Sequence, residues 1–172
     1  MGQTHWGSWG AMTKCPKFGK VDGFRLRMDD ATTALNSIEL KCVNGGVINP
    51  HKGYWGEWTQ YQNCPEGTYI TGAMLKSEPH LLNLLLDDSA ANNLKVKCSD
   101  GTEKHDPLHG WKGGHKGSWG SWGSCSDTGG YICGLQVKME EKHWYETDET
   151  ALNRVRFSCC GEGRAKLIVI HS

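Results

Sequence analysis

Eight residues in three variable loops combine carboxylates with aromatic rings and are the first candidates for chemistry. They are Asp29, Asp30, Asp87, Asp88, Trp144, Tyr145, Asp148 and Glu149. An aromatic ring beside carboxylates suits a sugar, because the C–H face stacks on the ring while the hydroxyl groups donate to the acids. The sequence therefore predicts carbohydrate binding by these residues. The competing interpretation is that the acids only cap turns and stay solvated.

The same carboxylates allow a catalytic hypothesis. Glycoside chemistry uses two carboxyl groups about 5 Å apart for retention and about 6.5–9.5 Å apart for inversion. Asp87 or Asp88 could meet Asp148 or Glu149 across one end of the fold. However, no sequence cue buries one of them, and the chain has no Gly-x-Ser-x-Gly, His-Glu-x-x-His or phosphate-loop motif. A weak glycosyl-transferring enzyme acting on chito-oligosaccharides is thus an alternative, and we favour a protein with no catalytic residues.

Three histidines lie among glycines in one segment, at His105, His109 and His115. Their spacing matches no known metal geometry, so we interpret the segment as a solvated loop. The sequence predicts no metal site and no cofactor.

The eight cysteines predict disulfides. No Cys-x-x-Cys pair is present, which argues against a structural zinc site. Disulfides imply an oxidising, extracellular compartment, so we expect a secreted protein. The first residues, 1–6, include no apolar signal-peptide core, and we interpret the sequence as a mature or recombinant form.

Charge and hydropathy exclude two other classes of function. The 172 residues carry 19 basic and 19 acidic side chains, and Lys and Arg are scattered, so nothing favours nucleic acid or an anionic membrane as a partner. No apolar run approaches the roughly 20 residues that a transmembrane helix needs. The longest, Leu81 to Leu86, is interrupted by Asn83. If exposed, it is a surface for self-association; the alternative is that it folds back onto the protein.

A unit that occurs three times positions the candidate loops. It begins with Trp-Gly-x-Trp at residues 6–9, 55–58 and 119–122, followed by Cys15, Cys64 or Cys125 and a short Gly-containing strand at 21–26, 70–75 or 132–137. A variable loop and an Ala-x-Asn strand follow, with a cysteine six residues after the Asn (36 to 42, 92 to 98, 153 to 159). Short strands repeated every 50 to 60 residues predict an all-β, prism-like array.

Residues present in every unit are predicted to serve the scaffold. Six tryptophans, Trp6, Trp9, Trp55, Trp58, Trp119 and Trp122, are expected to pack between the sheets. Asn36, Asn92 and Asn153 are expected to bond the backbone at turns.

The repeats also predict the disulfide pairing. Cys15–Cys42 and Cys64–Cys98 occupy equivalent positions, and symmetry adds Cys125–Cys159, which leaves Cys133–Cys160. Neighbouring strand residues point to opposite faces, so Cys159 and Cys160 need different partners. An exchange of partners within the third unit stays open.

The predicted organisation is one domain, residues 1–172, with units at about 5–45 plus 165–170, 46–101 and 102–160. Residues 165–170 form a β-rich run that would be an exposed apolar edge if left alone. We expect this run to complete the first sheet, so that each of three sheets has four strands.

The combined motifs, ending in residues 153–160 (Asn-Arg-Val-Arg-Phe-Ser-Cys-Cys), resemble the vitelline membrane outer layer protein I family over residues 5–160. The resemblance implies a β-prism of three Greek-key sheets around a pseudo-threefold axis. It also implies a secreted protein of egg coats and mucosal fluids that binds oligosaccharide or mucin-like glycoprotein. A structural or adhesive coat protein without a glycan site is the alternative.

Two features depart from the family pattern. The strand at 165–170 implies a circular permutation. In the first unit the two acid positions hold Ala31 and Thr32, so a site that needs three acid pairs in register is in doubt.

Overall fold

The computed structural model describes residues 8–28, 35–51, 56–79, 89–108, 117–139, 152–161 and 166–171. Most of these residues form strands, and two single 3-10 turns lie at Pro16–Phe18 and Ser126–Thr128. No helix within these ranges is long and apolar enough to cross a membrane. The strands are β1 (Ser8–Trp9), β2 (Thr13–Lys14), β3 (Val21–Met28), β4 (Leu35–Cys42), β5 (Val47–Ile48), β6 (Glu57–Trp58), β7 (Gln62–Asn63), β8 (Ile70–Pro79), β9 (Ser89–Cys98), β10 (Glu103–His105), β11 (Ser118–Trp119), β12 (Gly123–Ser124), β13 (Tyr131–Met139), β14 (Leu152–Cys160) and β15 (Lys166–His171).

These strands form three antiparallel sheets. Sheet I contains β3 to β7, sheet II contains β8 to β12, and sheet III contains β13 to β15 together with β1 and β2. In sheet I the order is β5-β4-β3-β6, with β7 also paired to β3, and the other sheets repeat this order. Because both short segments pair with one long strand, each sheet has four strand positions in a Greek-key order. The predicted all-β prism of three sheets is confirmed.

The sheets enclose one core because their strands alternate between an inner and an outer face. On β3, Phe24, Leu26 and Met28 are at most 1% exposed, whereas Arg25 and Arg27 between them are partly exposed. Buried side chains from all three sheets form a single cluster.

In each sheet, one long strand pairs with the short segments of a Trp motif; we call β3, β8 and β13 the inner long strands. A glycine on each of them lets the short segments approach closely. Gly23, Gly72 and Gly134 each follow a register shift in their hairpins. A Cβ at Gly72 would lie 2.9 Å from the carbonyl oxygen of Gly123 in β12. The close backbone approach therefore explains why every short Gly-containing strand carries this residue.

Four disulfides join the pairs that the repeats predict, and that prediction is confirmed. The pairs are Cys15–Cys42, Cys64–Cys98, Cys125–Cys159 and Cys133–Cys160. No cysteine is free.

Three of the disulfides connect neighbouring sheets. The backbone N–H of Cys64 donates to the carbonyl oxygen of Asp22 in sheet I at 2.8 Å, while its sulfur is bonded to Cys98 in sheet II. Cys15 and Cys125 repeat this arrangement, with N–H groups that donate to β13 and β8. Each crossover from one sheet to the next is thereby cross-linked, whereas Cys133–Cys160 joins two strands within sheet III.

The predicted strand at 165–170 is present as β15, but it lies in sheet III. It pairs with β14 from Arg154↔His171 to Cys159↔Lys166. Its assignment to the sheet of β3 and β4 was wrong, because β5 lies beside β4 and the second Trp motif, in β6 and β7, lies beside β3. The first Trp motif, in β1 and β2, pairs instead with β13. It therefore shares sheet III with β15. That this order is a circular permutation stays a prediction.

Two of the repeated asparagines are buried inside strands. Asn36 in β4 and Asn92 in β9 are each 2% exposed, and each has an interaction partner. Burial agrees with a structural role, but their predicted place at turns was wrong. The side chain of Asn153 is not among those described.

Candidate functional site

The eight residues predicted to bind carbohydrate all lie outside the described residues. They belong to the connections at 29–34, 80–88 and 140–151, which leave the sheets after Met28, Pro79 and Met139. The residues are Asp29, Asp30, Asp87, Asp88, Trp144, Tyr145, Asp148 and Glu149. Their grouping into one site and a catalytic carboxylate pair stay predictions, as does self-association through Leu81 to Leu86, which also lies outside the described residues.

The described tryptophans of the repeated motif lie on the outer faces of the sheets. Trp58 is directly opposite Arg27, and opposed residues of antiparallel strands share a face. Trp9, Trp58, Trp119 and Trp122 are half-buried and do not belong to the core cluster. Their predicted packing between the sheets was therefore wrong, while Trp6 and Trp55 lie outside the described residues. The indole ring attracts cations, so Lys and Arg side chains on the outer face of a sheet stabilise a tryptophan there.

Three of these tryptophans are structurally equivalent, and they are Trp9, Trp58 and Trp119. The residue after each donates its N–H to the inner long strand: Gly10 to Val137, Thr59 to Leu26 and Gly120 to Leu75, at 2.7–3.1 Å. Alignment of the three Trp-Gly-x-Trp motifs matched Trp122 with Trp9 and Trp58, but the structural equivalent is Trp119, three residues earlier. A signal for the correct register was present, because Trp9, Trp58 and Trp119 each precede a cysteine by six residues.

This tryptophan and four neighbouring positions recur on every outer face. They hold Trp58, Arg25, Glu39, Asn49 and Tyr61 in sheet I, Trp119, Met74, Lys95, His105 and Trp122 in sheet II, and Trp9, Gln136, Arg156, Val169 and Met12 in sheet III. The three sheets therefore show one geometry with three different chemistries.

In sheet I the five positions form a closed network around a buried carboxylate. Glu39 is 6% exposed and accepts a hydrogen bond from Arg25 Nε at 2.9 Å. The hydroxyl of Tyr61 and the side-chain amide of Asn49 also donate to Glu39. The Arg25 guanidinium lies over the ring of Trp58, 4.7 Å from its centroid. The polar groups at these positions thus satisfy one another.

The network shifts two pKa values in opposite directions. Burial alone would raise the pKa of Glu39, but hydrogen bonds from Tyr61 and Arg25 and the charge of Arg25 outweigh it and lower the pKa below 4.5. Burial, together with the bond to the Glu39 carboxylate, raises the pKa of Tyr61 to about 12. Glu39 therefore stays ionised and Tyr61 neutral at physiological pH.

Sheet II presents cations and indoles without an internal carboxylate. Lys95 takes the place of Glu39, and its Nζ lies 4.3 Å from the Trp119 ring centroid. Lys97 Nζ lies 4.7 Å from the ring of Trp122. Among the described residues, no carboxylate ion-pairs with Lys95 or Lys97, and neither ammonium group donates a hydrogen bond. Their donors are therefore open to a ligand.

Two further groups flank the indole of Trp119. Lys76, directly opposite on β8, has its Nζ 5.7 Å from the ring centroid. The exposed ring of His105 meets the indole edge-on at 6.0 Å. We define the sheet II face as Lys76, Lys95, Lys97, His105, Trp119 and Trp122.

Sheet III has the same aromatic–cation pair in a more apolar setting. The Arg156 guanidinium lies 3.9 Å from the Trp9 ring centroid. On β15, Leu167 and Val169 are 56% and 39% exposed.

A second aromatic cluster covers one end of the prism. Lys20, Tyr69 and Tyr131 lie immediately before or at the start of the inner long strand of each sheet. Lys20 Nζ lies 4.3 Å and 5.4 Å from the centroids of the two tyrosine rings, which meet edge-on. These contacts join the three sheets where the strands begin, which is a structural role.

Potential metal ligands do not converge in the part of the chain that the structure describes. His105 belongs to the sheet II face, and His109 and His115 lie outside the described residues.

Comparisons with known proteins identify relatives over nearly the whole chain. The profile of the family described as vitelline membrane outer layer protein I matches residues 1–162. A vitelline membrane outer layer protein 1 homolog of Mus musculus is 32% identical, and that of Homo sapiens 35% identical, over 167 residues. Each alignment covers 90% of this chain and 78% of the relative.

Solved structures share the fold at low sequence identity. A prostate-specific glycoprotein lectin matches with a TM-score of 0.61 and 12% identity, covering 95% of this chain and 97% of that one. Artocarpin in complex with mannopentose matches with a TM-score of 0.51 and 11% identity, covering 90% and 93%. These similarities establish the β-prism architecture.

Proposed function

This chain belongs to the vitelline membrane outer layer protein I family, and from that premise we propose that it is an extracellular carbohydrate-binding protein whose site is the sheet II face. Its ligand is an oligosaccharide, free or carried by a mucin-like glycoprotein of an extracellular coat or mucosal layer.

One observation carries the proposal, namely the pair of half-buried indoles beside ammonium groups that have no described carboxylate partner. Trp119 and Trp122 offer apolar rings on which the C–H face of a sugar can rest. Lys95 and Lys97 offer donors to sugar oxygens. Lys95, Lys97 and Trp119 project from paired strands, and Trp122 directly precedes β12, so the site is positioned by a rigid sheet.

Fold and covalent structure give independent support. Two proteins that share this fold are a lectin by description and artocarpin, which was crystallised with mannopentose. Four disulfides suit an oxidising extracellular compartment.

A glycan array with neutral, sialylated and sulfated oligosaccharides, together with immobilised mucin, tests the proposal. We expect the protein to be retained on a subset of glycans and Trp119→Ala to weaken retention about fivefold or more. Trp58→Ala is the matched control, since Trp58 lies in the closed network of sheet I, and thermal unfolding verifies that both variants fold.

Three results would overturn the proposal. The function fails if no glycan and no mucin retain the wild type. The site fails if Trp58→Ala and Trp119→Ala weaken binding equally. It also fails if Trp144→Ala abolishes binding while Trp119→Ala does not, because the predicted loops would then hold the ligand.

A further inference from the structure

We propose that the sheet II face recognises an acidic sugar, whose sulfate or carboxylate group takes the place that Glu39 holds in sheet I. The inference rests on the proposed function and narrows its ligand class.

Sheet I shows how this geometry is neutralised when the chain supplies its own anions. Glu39 pairs with Arg25 at 2.9 Å, and Asp22 pairs with Lys41 at 3.7 Å. Glu39 is directly opposite Arg25, whose guanidinium lies over Trp58, and Asp22 lies further along β3 beside Lys41, so each carboxylate pairs with a cation of sheet I. This face therefore has no need of an external anion.

Sheet II keeps a cation at the positions of Arg27 and Lys41, which hold Lys76 and Lys97, but it has Met74 in place of Arg25 and replaces both carboxylates. The position of Glu39 is held by Lys95, and the position of Asp22, directly before the strand glycine, is held by Thr71. Lys97 corresponds to Lys41, since each precedes the disulfide cysteine of its strand. Sheet II therefore loses one cation and both acids of sheet I and gains Lys95, so that its lysines have no ion-paired acid of this face, although the whole chain carries 19 basic and 19 acidic residues.

The remaining acid near this face does not restore the balance. Glu103 is directly opposite Lys97 on β10, but it is exposed and forms no ion pair with a described residue. The ammonium groups of Lys95 and Lys97 lie instead over indole rings, which attract cations more weakly than a carboxylate at the same distance. An incoming anion can therefore draw both ammonium groups away from the rings.

The spacing of the two lysines fits one short ligand. Lys95 and Lys97 are two residues apart on one face of β9, so their Cα atoms are about 7 Å apart. A sulfate or carboxylate that accepts from both leaves the sugar ring above Trp119 and Trp122. The aromatic rings distinguish this arrangement from a purely electrostatic patch, because they contact the sugar and not its charge.

Titration with two hexasaccharides of the same backbone tests the inference. The first probe is a sulfated, heparin-derived hexasaccharide, and the second is the same hexasaccharide after desulfation and N-acetylation. We expect the first to bind at least about tenfold more tightly at low salt, as loss of a charge-assisted hydrogen bond would produce. The difference should shrink as salt is raised.

Matched variants assign the effect to the sheet II face. Lys97→Gln should weaken binding of the sulfated probe about tenfold, whereas Lys41→Gln at the equivalent place in sheet I should leave it unchanged. Lys95→Glu, which restores the acid of sheet I, should abolish the preference for sulfate, and Lys95→Arg should retain it. Thermal unfolding of each variant excludes a loss through misfolding.

The outcomes separate this inference from the proposed function. Equal binding of both hexasaccharides overturns the inference and leaves carbohydrate binding intact, and absence of binding by all glycans overturns both. Equal losses in Lys97→Gln and Lys41→Gln refute the site. A single-stranded DNA oligonucleotide of equal charge that competes as well as the sulfated probe would show a general polyanion surface and would also refute it.

Discussion

Replacement of Glu39 by alanine should destabilise the protein by about 2–3 kcal/mol. The change removes the acceptor shared by Arg25, Tyr61 and Asn49. Loss of one partner of a fully buried ion pair costs roughly 3–5 kcal/mol, and a hydrogen bond to a charged group contributes roughly 1.5–3 kcal/mol. The lower range applies here because the Arg25 side chain is 30% exposed, so water can solvate it once Glu39 is removed.

Urea-induced unfolding with intact disulfides measures this loss. In thermal unfolding, a chain of this length loses roughly 2–4 °C of melting temperature per kcal/mol, so the melting temperature of Glu39→Ala should fall by roughly 5–10 °C. Glu39→Gln keeps an acceptor but loses the charge, so its effect should be intermediate. Lys95→Ala is the matched control at the equivalent position of sheet II, and it should cost less than about 0.5 kcal/mol because Lys95 is partly exposed and has no described ion pair.

The pH dependence of the same variants gives an independent check. The pKa of Glu39 is lower in the folded protein than its ordinary value of 4.5. Its stabilising contribution is therefore present above 4.5 and is lost as the pH falls through the folded pKa. The difference in unfolding free energy between wild type and Glu39→Gln should shrink in this acidic range. A Glu39→Ala loss as small as that of Lys95→Ala, or a difference that is constant with pH, would refute the account of sheet I.

Three further predictions concern the scaffold. Because the pKa of Tyr61 is raised to about 12, the folded protein should lose stability as the pH rises from 10 towards 12, and Tyr61→Phe should remove this part of the loss in an alkaline unfolding series; identical profiles would contradict it. Gly72→Ala should cost about 1–3 kcal/mol in urea unfolding because its Cβ would lie 2.9 Å from a backbone oxygen, whereas Gly10→Ala, with 3.7 Å to the nearest atom, should be nearly neutral; equal effects would refute the packing argument. Replacement of the Cys125–Cys159 pair by alanine should cost roughly 1 kcal/mol less than replacement of Cys64–Cys98, although both disulfides span 34 residues. While Cys133–Cys160 is intact, Cys125–Cys159 closes a ring of only about ten residues, so its loss frees less chain entropy in the unfolded state. Equal melting temperatures of the two variants would contradict this.

The fold followed from the sequence because its signals are local and repeated. Period-two alternation such as that of Val155 and Phe157 identified the long strands, and the constant distance from Asn36 or Asn92 to a cysteine aligned the units. The disulfide pairs followed from that alignment. Sheet membership did not, because the two short segments of each Trp motif could pair with the strands on either side of them in sequence. Only tertiary packing decides between these partners.

The candidate site was harder to predict for a different physical reason. In a strand, residues two apart lie on the same face of the sheet, but this rule does not show whether the face that carries Trp119 is the inner or the outer one. A tryptophan is apolar enough for a core and polar enough for a cationic surface, so its residue type alone does not decide. Lys76 and Lys95 are also far apart in the sequence, although strand pairing brings both over the same indole.

The most direct test of the central claim is an NMR titration of the tryptophan indole N–H signals with the sulfated hexasaccharide, assigned by Trp→Phe substitution. We expect saturable shifts for Trp119 and Trp122 and no shift for Trp58, whose neighbour Arg25 is paired with Glu39. Unchanged Trp119 and Trp122 signals at saturating ligand, or shifts confined to other tryptophans such as Trp144, would contradict it.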